Sequence, residues 1–372
     1  MELNVERNTI LAGIRKTLGI VEKKTTMPIL NNVLIRAKDN RITIVATDIE
    51  ITLVTSYEAQ IISEGEVTVS AKKIYEMMRE VPENTVHVKK SENNLLTISC
   101  QKAVYKINGL PADEFPSVAR EEDVPSFKVD RQCFIELIAK SFFAISTDDT
   151  RVNLTGALLE VDKEGEKNII RMVATDGHRM AMVTSSAGEG EFITLDKGVI
   201  IPRKGLMEMR RLLEESSGDV FIGIHKGMFL LNGKDIFLKV NLIDAEFPDY
   251  RRVIPSEHGV LFRFEKEKVL HALKRINVIS SEGYGGVIFC LKDNCMVLNS
   301  NDPDVGEAND EIDVVYDGGE IKVGYNVEYL MSAIEVIDEK EVAFEIGEGT
   351  KPSVIRGEGN DRYLCIVMPL KL

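Results

Sequence analysis

One pattern, a strand running into an amphipathic helix, opens three separate stretches of this chain. They are LNVERNTILAGIRKTLGI from Leu3, FKVDRQCFIELIAKSFFAIS from Phe127 and FRFEKEKVLHALKRINVIS from Phe262. Helical spacing puts Ile10, Leu11, Ile14 and Leu18 on one face of the first. Phe134, Leu137, Ile138 and Ser141 take the same places in the second, and Leu270, Leu273 and Ile276 in the third. Each stretch leads into β-rich sequence: Ile44 to Asp48, Met172 to Asp176, and the looser Val297 to Asp302. A second strand–helix pair follows, VTVSAKKIYEMM, VIIPRKGLMEMRRLL or IKVGYNVEYLMSAI. Ile74, Met77, Met78 and Val81 form its apolar stripe in copy one; Leu206, Met209 and Leu213 form it in copy two. The first two copies leave through Glu114-Phe115-Pro116 and Glu246-Phe247-Pro248. The unit is therefore an α+β module of two helices and many strands, three in tandem, expected at 1–124, 125–254 and 255–372. Such a period is too long for a solenoid, so each copy can hold its own core.

Composition narrows the class. Apolar residues make 44% and charged residues 28% of the 372, an ordinary globular balance. No apolar run is long enough to span a bilayer. The opening Met1 to Arg7 has no basic region followed by an apolar core, so no secretory signal is expected. Five scattered cysteines without a Cys-x-x-Cys spacing point to reduced thiols and a cytoplasmic setting. No cofactor motif is present.

The net charge of −14 argues against nucleic acid when taken as a sum, so its distribution matters. On the second helix of copy one, Lys72 and Arg79 lie opposite the apolar stripe; Lys204 and Arg211 fall at the same places in copy two. Lys16, Lys140, Lys266 and Lys274 are expected on the polar sides of the first helices. These are either solvated helix faces or a surface that attracts phosphates without reading bases. The opposite sign is clustered too. Asn301 to Ile321 holds eight acidic residues and no Lys or Arg, whereas copy one carries Lys72, Lys73, Lys102 and Lys106. This is either a solvated acidic loop or one half of a head-to-tail contact between chains.

The chain resembles the bacterial DNA polymerase III beta subunit family, the processivity sliding clamps. The resemblance is carried by MPILNN at 27–32, LPADEFP at 110–116, ATDGHRMA at 174–181, IPRKG at 201–205, FPDYRRV at 247–253, GYNVEY at 324–329 and VMPLKL at 367–372. It implies a head-to-tail homodimer, a ring of six similar domains around duplex DNA. It also implies a cleft that takes short Gln-x-x-Leu-x-Phe motifs from the polymerase III alpha subunit, the clamp loader and repair polymerases. Matching cleft positions are Leu154, Thr175, Gly177, His178, Arg179, Met180, Pro248, Arg252, Val253, Asn326, Tyr329, Val367, Met368, Pro369 and Leu370. Leu154, Met180, Val253, Met368 and Leu370 would bury a partner's Leu and Phe. Matching DNA-facing positions are Lys24, Arg151, Arg203 and Lys204, beside Asp148 and Asp149, an acidic departure from the family.

Two other readings compete. Asp176 and His178, with Asp48 and Asp302, could suggest a metal-dependent hydrolase. Yet no pair of ligands has i, i+4 spacing and no nucleophile motif accompanies them. A three-repeat interaction scaffold that never encircles DNA is the other.

Overall fold

The computed structural model describes residues 1–21, 27–82, 84–118, 124–164, 167–186, 195, 197–256, 259–279 and 286–371. They form two compact units: the described residues within 1–131 and 204–242 in one, and those within 132–186, 195–203 and 243–371 in the other. The helices are α1 (Arg7–Thr17), α2 (Ala71–Glu80), α3 (Arg131–Ser141), α4 (Arg203–Glu214), α5 (Lys266–Asn277) and α6 (Val327–Glu335).

Strand order exposes the repeat. In the first unit a five-stranded sheet runs 60–63, 2–6, 85–90, 95–100, 103–108, and an eight-stranded sheet runs 126–129, 220–225, 228–232, 236–241, 51–58, 41–47, 32–38, 65–70. In the second unit an eight-stranded sheet runs 199–202, 156–164, 167–175, 179–186, 363–367, 353–357, 341–346, 260–265, and a four-stranded sheet runs 306–313, 295–302, 286–292, 321–326. Each eight-stranded sheet thus joins four strands of one copy, edge to edge, to four of the copy before. The joints are antiparallel: Val240 lies opposite Ile51, and Val367 opposite Arg179. Tight hairpins hold the registers. Asp39-Asn40 and Asp293-Asn294 take positive φ at both positions, the turn geometry that matches strand twist.

The apolar stripes are mostly as the spacing predicts. Phe134, Leu137, Ile138, Ser141, Leu270, Leu273 and Ile276 are buried, as are Ile74, Met78, Leu206, Met209 and Leu213. Helix α1 differs. Its inner positions are Ile10, Gly13, Ile14 and Thr17, with Leu11 and Leu18 only partly buried. Gly13 lies where a Cβ would meet the Tyr57 ring at 2.7 Å, so the helix rolls to bring its smallest residue inward. Lys140 also departs from expectation. It is buried, and its ammonium bonds Glu136 and Asp338. All five cysteines carry free thiols. Among the described residues no helix is long and apolar enough to cross a membrane.

Candidate functional site

The site in the second unit is built on the turn between strands 167–175 and 179–186. Asp176 Oδ1 accepts from the backbone N–H groups of His178 (2.9 Å) and Arg179 (3.0 Å), and Oδ2 accepts from Arg179 Nε (3.0 Å). Thr175 Oγ1 accepts from Gly177 N at 3.1 Å and donates to Arg179 O at 2.7 Å. Gly177 sits at φ +89°, which an L side chain rarely adopts. A Cβ there would also lie 2.9 Å from Arg151 Nη1. Arg151 fills that space for a reason: it donates to Asp176 O at 2.7 Å and from Nε to Asp148 Oδ2 at 2.9 Å.

Copy one repeats this turn. Asp48 Oδ1 accepts from Ile51 N at 2.6 Å, and Thr47 Oγ1 accepts from Ile49 N at 3.0 Å. In copy three Asp302 Oδ1 accepts from Asp304 N and Val305 N.

Around the turn the chain gathers aromatic and apolar groups. The Arg179 guanidinium lies 4.4 Å from the Tyr329 ring centroid and 5.3 Å from that of Phe143, a favourable cation–π arrangement. His178 stacks on Tyr329 at 6.2 Å. Asn326 caps α6 by accepting from Tyr329 N at 3.1 Å, which fixes where that ring starts. The C-terminal segment is stitched on by Met368 N donating to His178 O (2.9 Å) and Leu370 N to Gly324 O (2.8 Å). Tyr250 is buried among Leu158, Val173, Met180 and Ile366, so the turn carrying Arg252 and Val253 stands beside Met180.

The cleft residues read from the sequence divide in two by burial. Leu154, Met180 and Val367 are already buried. Val253, Met368 and Leu370 are 42%, 37% and 45% exposed and leave apolar surface open to solvent. Pro248, Arg252 and His178 are exposed, while Pro369 and Asn326 are half-buried. Phe143 and the Asp176–Arg179 pair were not legible as site elements. The i, i+3 spacing of that pair is its one sequence signal.

The geometry gives the hydrolase reading no support at Asp176. Both Asp176 oxygens are occupied by Arg179 and backbone donors. Among the described residues no three His, Cys, Asp or Glu side chains converge as a metal site would require.

The basic positions behave unequally. Lys72 and Arg79 are exposed on α2, with Arg79 paired to Glu80 at 3.0 Å. In contrast, Lys204 bonds the buried Asp48 carboxylate. Arg211 donates to buried Glu208 at 2.6 Å and to Lys16 O at the end of α1. Arg203 stacks on Phe142 at 4.3 Å and donates to Ile145 O; burial, then the charge of Arg179, pulls its pKa down. The matched pair on α4 is thus partly exposed and tied to buried carboxylates, unlike the exposed pair on α2. The acidic departure is also resolved locally. Asp148 is held below the usual carboxylate range by Thr150, through its hydroxyl and N–H, and then by Arg151. Lys24 lies outside the described residues.

Comparison with known proteins agrees with this architecture. Family profiles of the DNA polymerase III beta subunit match in succession: the N-terminal domain at 1–119, the central domain at 128–249 and the C-terminal domain at 251–371. The beta sliding clamp of Pseudomonas aeruginosa is 30% identical, and that of Escherichia coli 27% identical, each over all of both chains. The crystal structure of the DNA polymerase III subunit beta from P. aeruginosa superposes with a TM-score of 0.94 at 30% identity, covering all of both chains. A sliding clamp from Bartonella birtlesii bound to griselimycin gives 0.94 at 28% identity, again over both whole chains. With three tandem modules in the family's order, this chain belongs to the DNA polymerase III beta subunit family.

Proposed function

We propose that the chain is a DNA sliding clamp, a processivity factor with no catalytic site of its own. Two copies close head to tail into a ring of six domains, at 1–124, 125–254 and 255–372 of each, around duplex DNA in the cytoplasm. The observation that carries this is a pair of open sheet edges. Strands 103–108 and 306–313 each end a sheet. They are the counterparts of the strands that join copies inside the chain: 236–241 and 363–367 on one side, 51–58 and 179–186 on the other. An open edge is a template for another strand. The first presents exposed Val104 and Lys106, with exposed Lys102 in the turn before it, and the second exposed Glu307, Glu311 and Asp313. Opposite charge suits them to each other and not to themselves, which makes the contact heterologous.

The internal joints also give a register. Asp48, Asp176 and Asp302 mark one turn in each copy, and the bridges of Leu110, Ile243 and Leu370 mark one position in the closing segment. Counting from these, Ile51–Val240 and Arg179–Val367 correspond to Val305–Ile107 between chains. Val104 then faces Ala308.

The cleft around Gly177 to Met180, Tyr329 and Met368 to Leu370 takes the short motifs of the polymerase III alpha subunit, clamp loader and repair polymerases. Val253, Met368 and Leu370 cover the motif's Leu and Phe, while His178 and Arg252 meet its polar groups. Lys24, Lys72, Arg79, Arg151, Arg203, Lys204 and Arg211 face DNA, with Lys204 and Arg211 also pairing with the buried carboxylates of Asp48 and Glu208. Titration with a Gln-x-x-Leu-x-Phe peptide tests the cleft. Deleting Lys371-Leu372 together with Met368→Ala should remove binding and leave the dimer intact; retained affinity overturns the assignment.

A further inference from the structure

We infer that copy one carries a second binding hollow, shaped for an aromatic side chain next to a carboxylate on a short acidic segment of a partner protein. It is separate from the cleft around Gly177 and does not depend on it. The hollow, of about 520 Å³, lies over the strands 32–38, 41–47 and 51–58. Leu34, Val45, Val54 and Phe115 form its apolar floor, all of them buried; Arg36 stands on its rim, and exposed Asp113 on the rim keeps a ligand's acidic group to the Arg36 side.

The internal repeat shows what such a hollow accepts. Copy two has the same rows in the same register: Leu158, Val173 and Met182 match Leu34, Val45 and Val54, and Glu160 matches Arg36. There the space is filled. Tyr250 is 3% exposed, packs with Leu158 and Val173, and donates its hydroxyl to Glu160 Oε2 at 2.7 Å. The two copies reach this point through Glu-Phe-Pro-Ser-Val118 and Glu-Phe-Pro-Asp-Tyr250. Val118 therefore stands where copy two places a phenol, and the missing ring leaves the opening.

The polarity is inverted as well. Copy two presents a carboxylate to a hydroxyl donor, whereas copy one presents a guanidinium and so selects an acceptor. Arg36 pairs with Glu66 at 2.9 Å, but both side chains are more than two-fifths exposed, and such pairs are worth little. An incoming carboxylate can share or displace Glu66. The occupant in copy two is itself an Asp-Tyr step of polypeptide, Asp249-Tyr250, whose phenol enters the hollow while the exposed Asp249 carboxylate stays beside it on Arg252. A peptide bearing that step is the matching ligand.

The test uses full-length protein with labelled Leu and Val methyls, titrated with acetyl-Gly-Asp-Tyr-Gly-amide to about 2 mM, since a ligand this small binds in the range of 0.1–1 mM or so. Methyl shifts at Leu34, Val45 and Val54 that saturate are expected. Val118→Tyr fills the hollow with the chain's own ring and should abolish them. Arg36→Glu should weaken binding by about fivefold or more, and replacing the peptide's Tyr by Leu should do the same. If Val118→Tyr fails to fold, the last two arms still decide. Absent shifts, shifts confined to the residues around Met180, or equal affinity for the Leu peptide and the Arg36→Glu variant would overturn the inference.

Discussion

Lys204→Ala is expected to damage the fold more than the DNA-facing surface. Asp48 is 2% exposed at its side chain, and Lys204 supplies its counter-charge. Stripping one partner from a buried pair costs about 3–5 kcal/mol when nothing else compensates. Two features reduce that here. Lys204 is 34% exposed, and Asp48 keeps its hydrogen bond from Ile51 N. The net cost should be about 2 kcal/mol, or roughly 4–8 °C in the thermal midpoint of a unit this size. The double variant Asp48→Asn with Lys204→Ala removes the charge on both sides and should recover at least half of the loss. Calorimetry of the four proteins in the cycle measures this directly. A Lys204→Ala midpoint within about 1 °C of the parent would refute the reasoning and return Lys204 to the role of a solvated phosphate contact.

Other consequences can be checked separately. Gly177→Ala should cost about 1–2 kcal/mol, because it combines a positive φ with displacement of Arg151, and peptide titration should show the cleft weakened. Lys72→Glu with Arg79→Glu should lower DNA affinity and flatten its salt dependence by roughly two charges while leaving the thermal midpoint unchanged, since both side chains are exposed. Tyr250 has its pKa pushed up to about 12 by burial, then by the hydrogen bond to Glu160. A raised phenol pKa means its stabilising contribution is complete below the unfolded value of about 10 and is lost as pH rises through about 12. Ultraviolet titration of Tyr250→Phe should lose one late-titrating phenol; an unchanged number would contradict the assignment.

Much of this was legible because the chain repeats. The helical stripes of α3, α4 and α5 follow from spacing alone, since apolar periodicity and burial report the same face. The turn at Thr175 to Arg179 stood out because its polar density exceeds what a plain hairpin needs. What spacing could not show was the fate of charges. Lys140, Lys204 and Arg211 lie on faces that look solvated on a helical wheel, yet each meets a carboxylate, and two of those, Asp48 and Glu208, are buried. Such pairings span up to 198 residues of sequence, and a wheel records only one helix. The division of the cleft residues into buried and exposed was hidden for the same reason. Leu154 and Leu370 are the same letter, yet one is buried and the other exposed. Met180 is covered by Tyr250 and its neighbours, while Met368 is not.

The ring itself is tested most directly by its register. Val104→Cys with Ala308→Cys places one thiol on each open edge, at positions that the joints inside the chain put opposite each other. Under mild oxidation the account predicts a covalently closed dimer that stays on nicked circular DNA and slides off once that DNA is cut. A chain that stays monomeric by sedimentation, or that crosslinks only when one cysteine is moved by two residues, would contradict it.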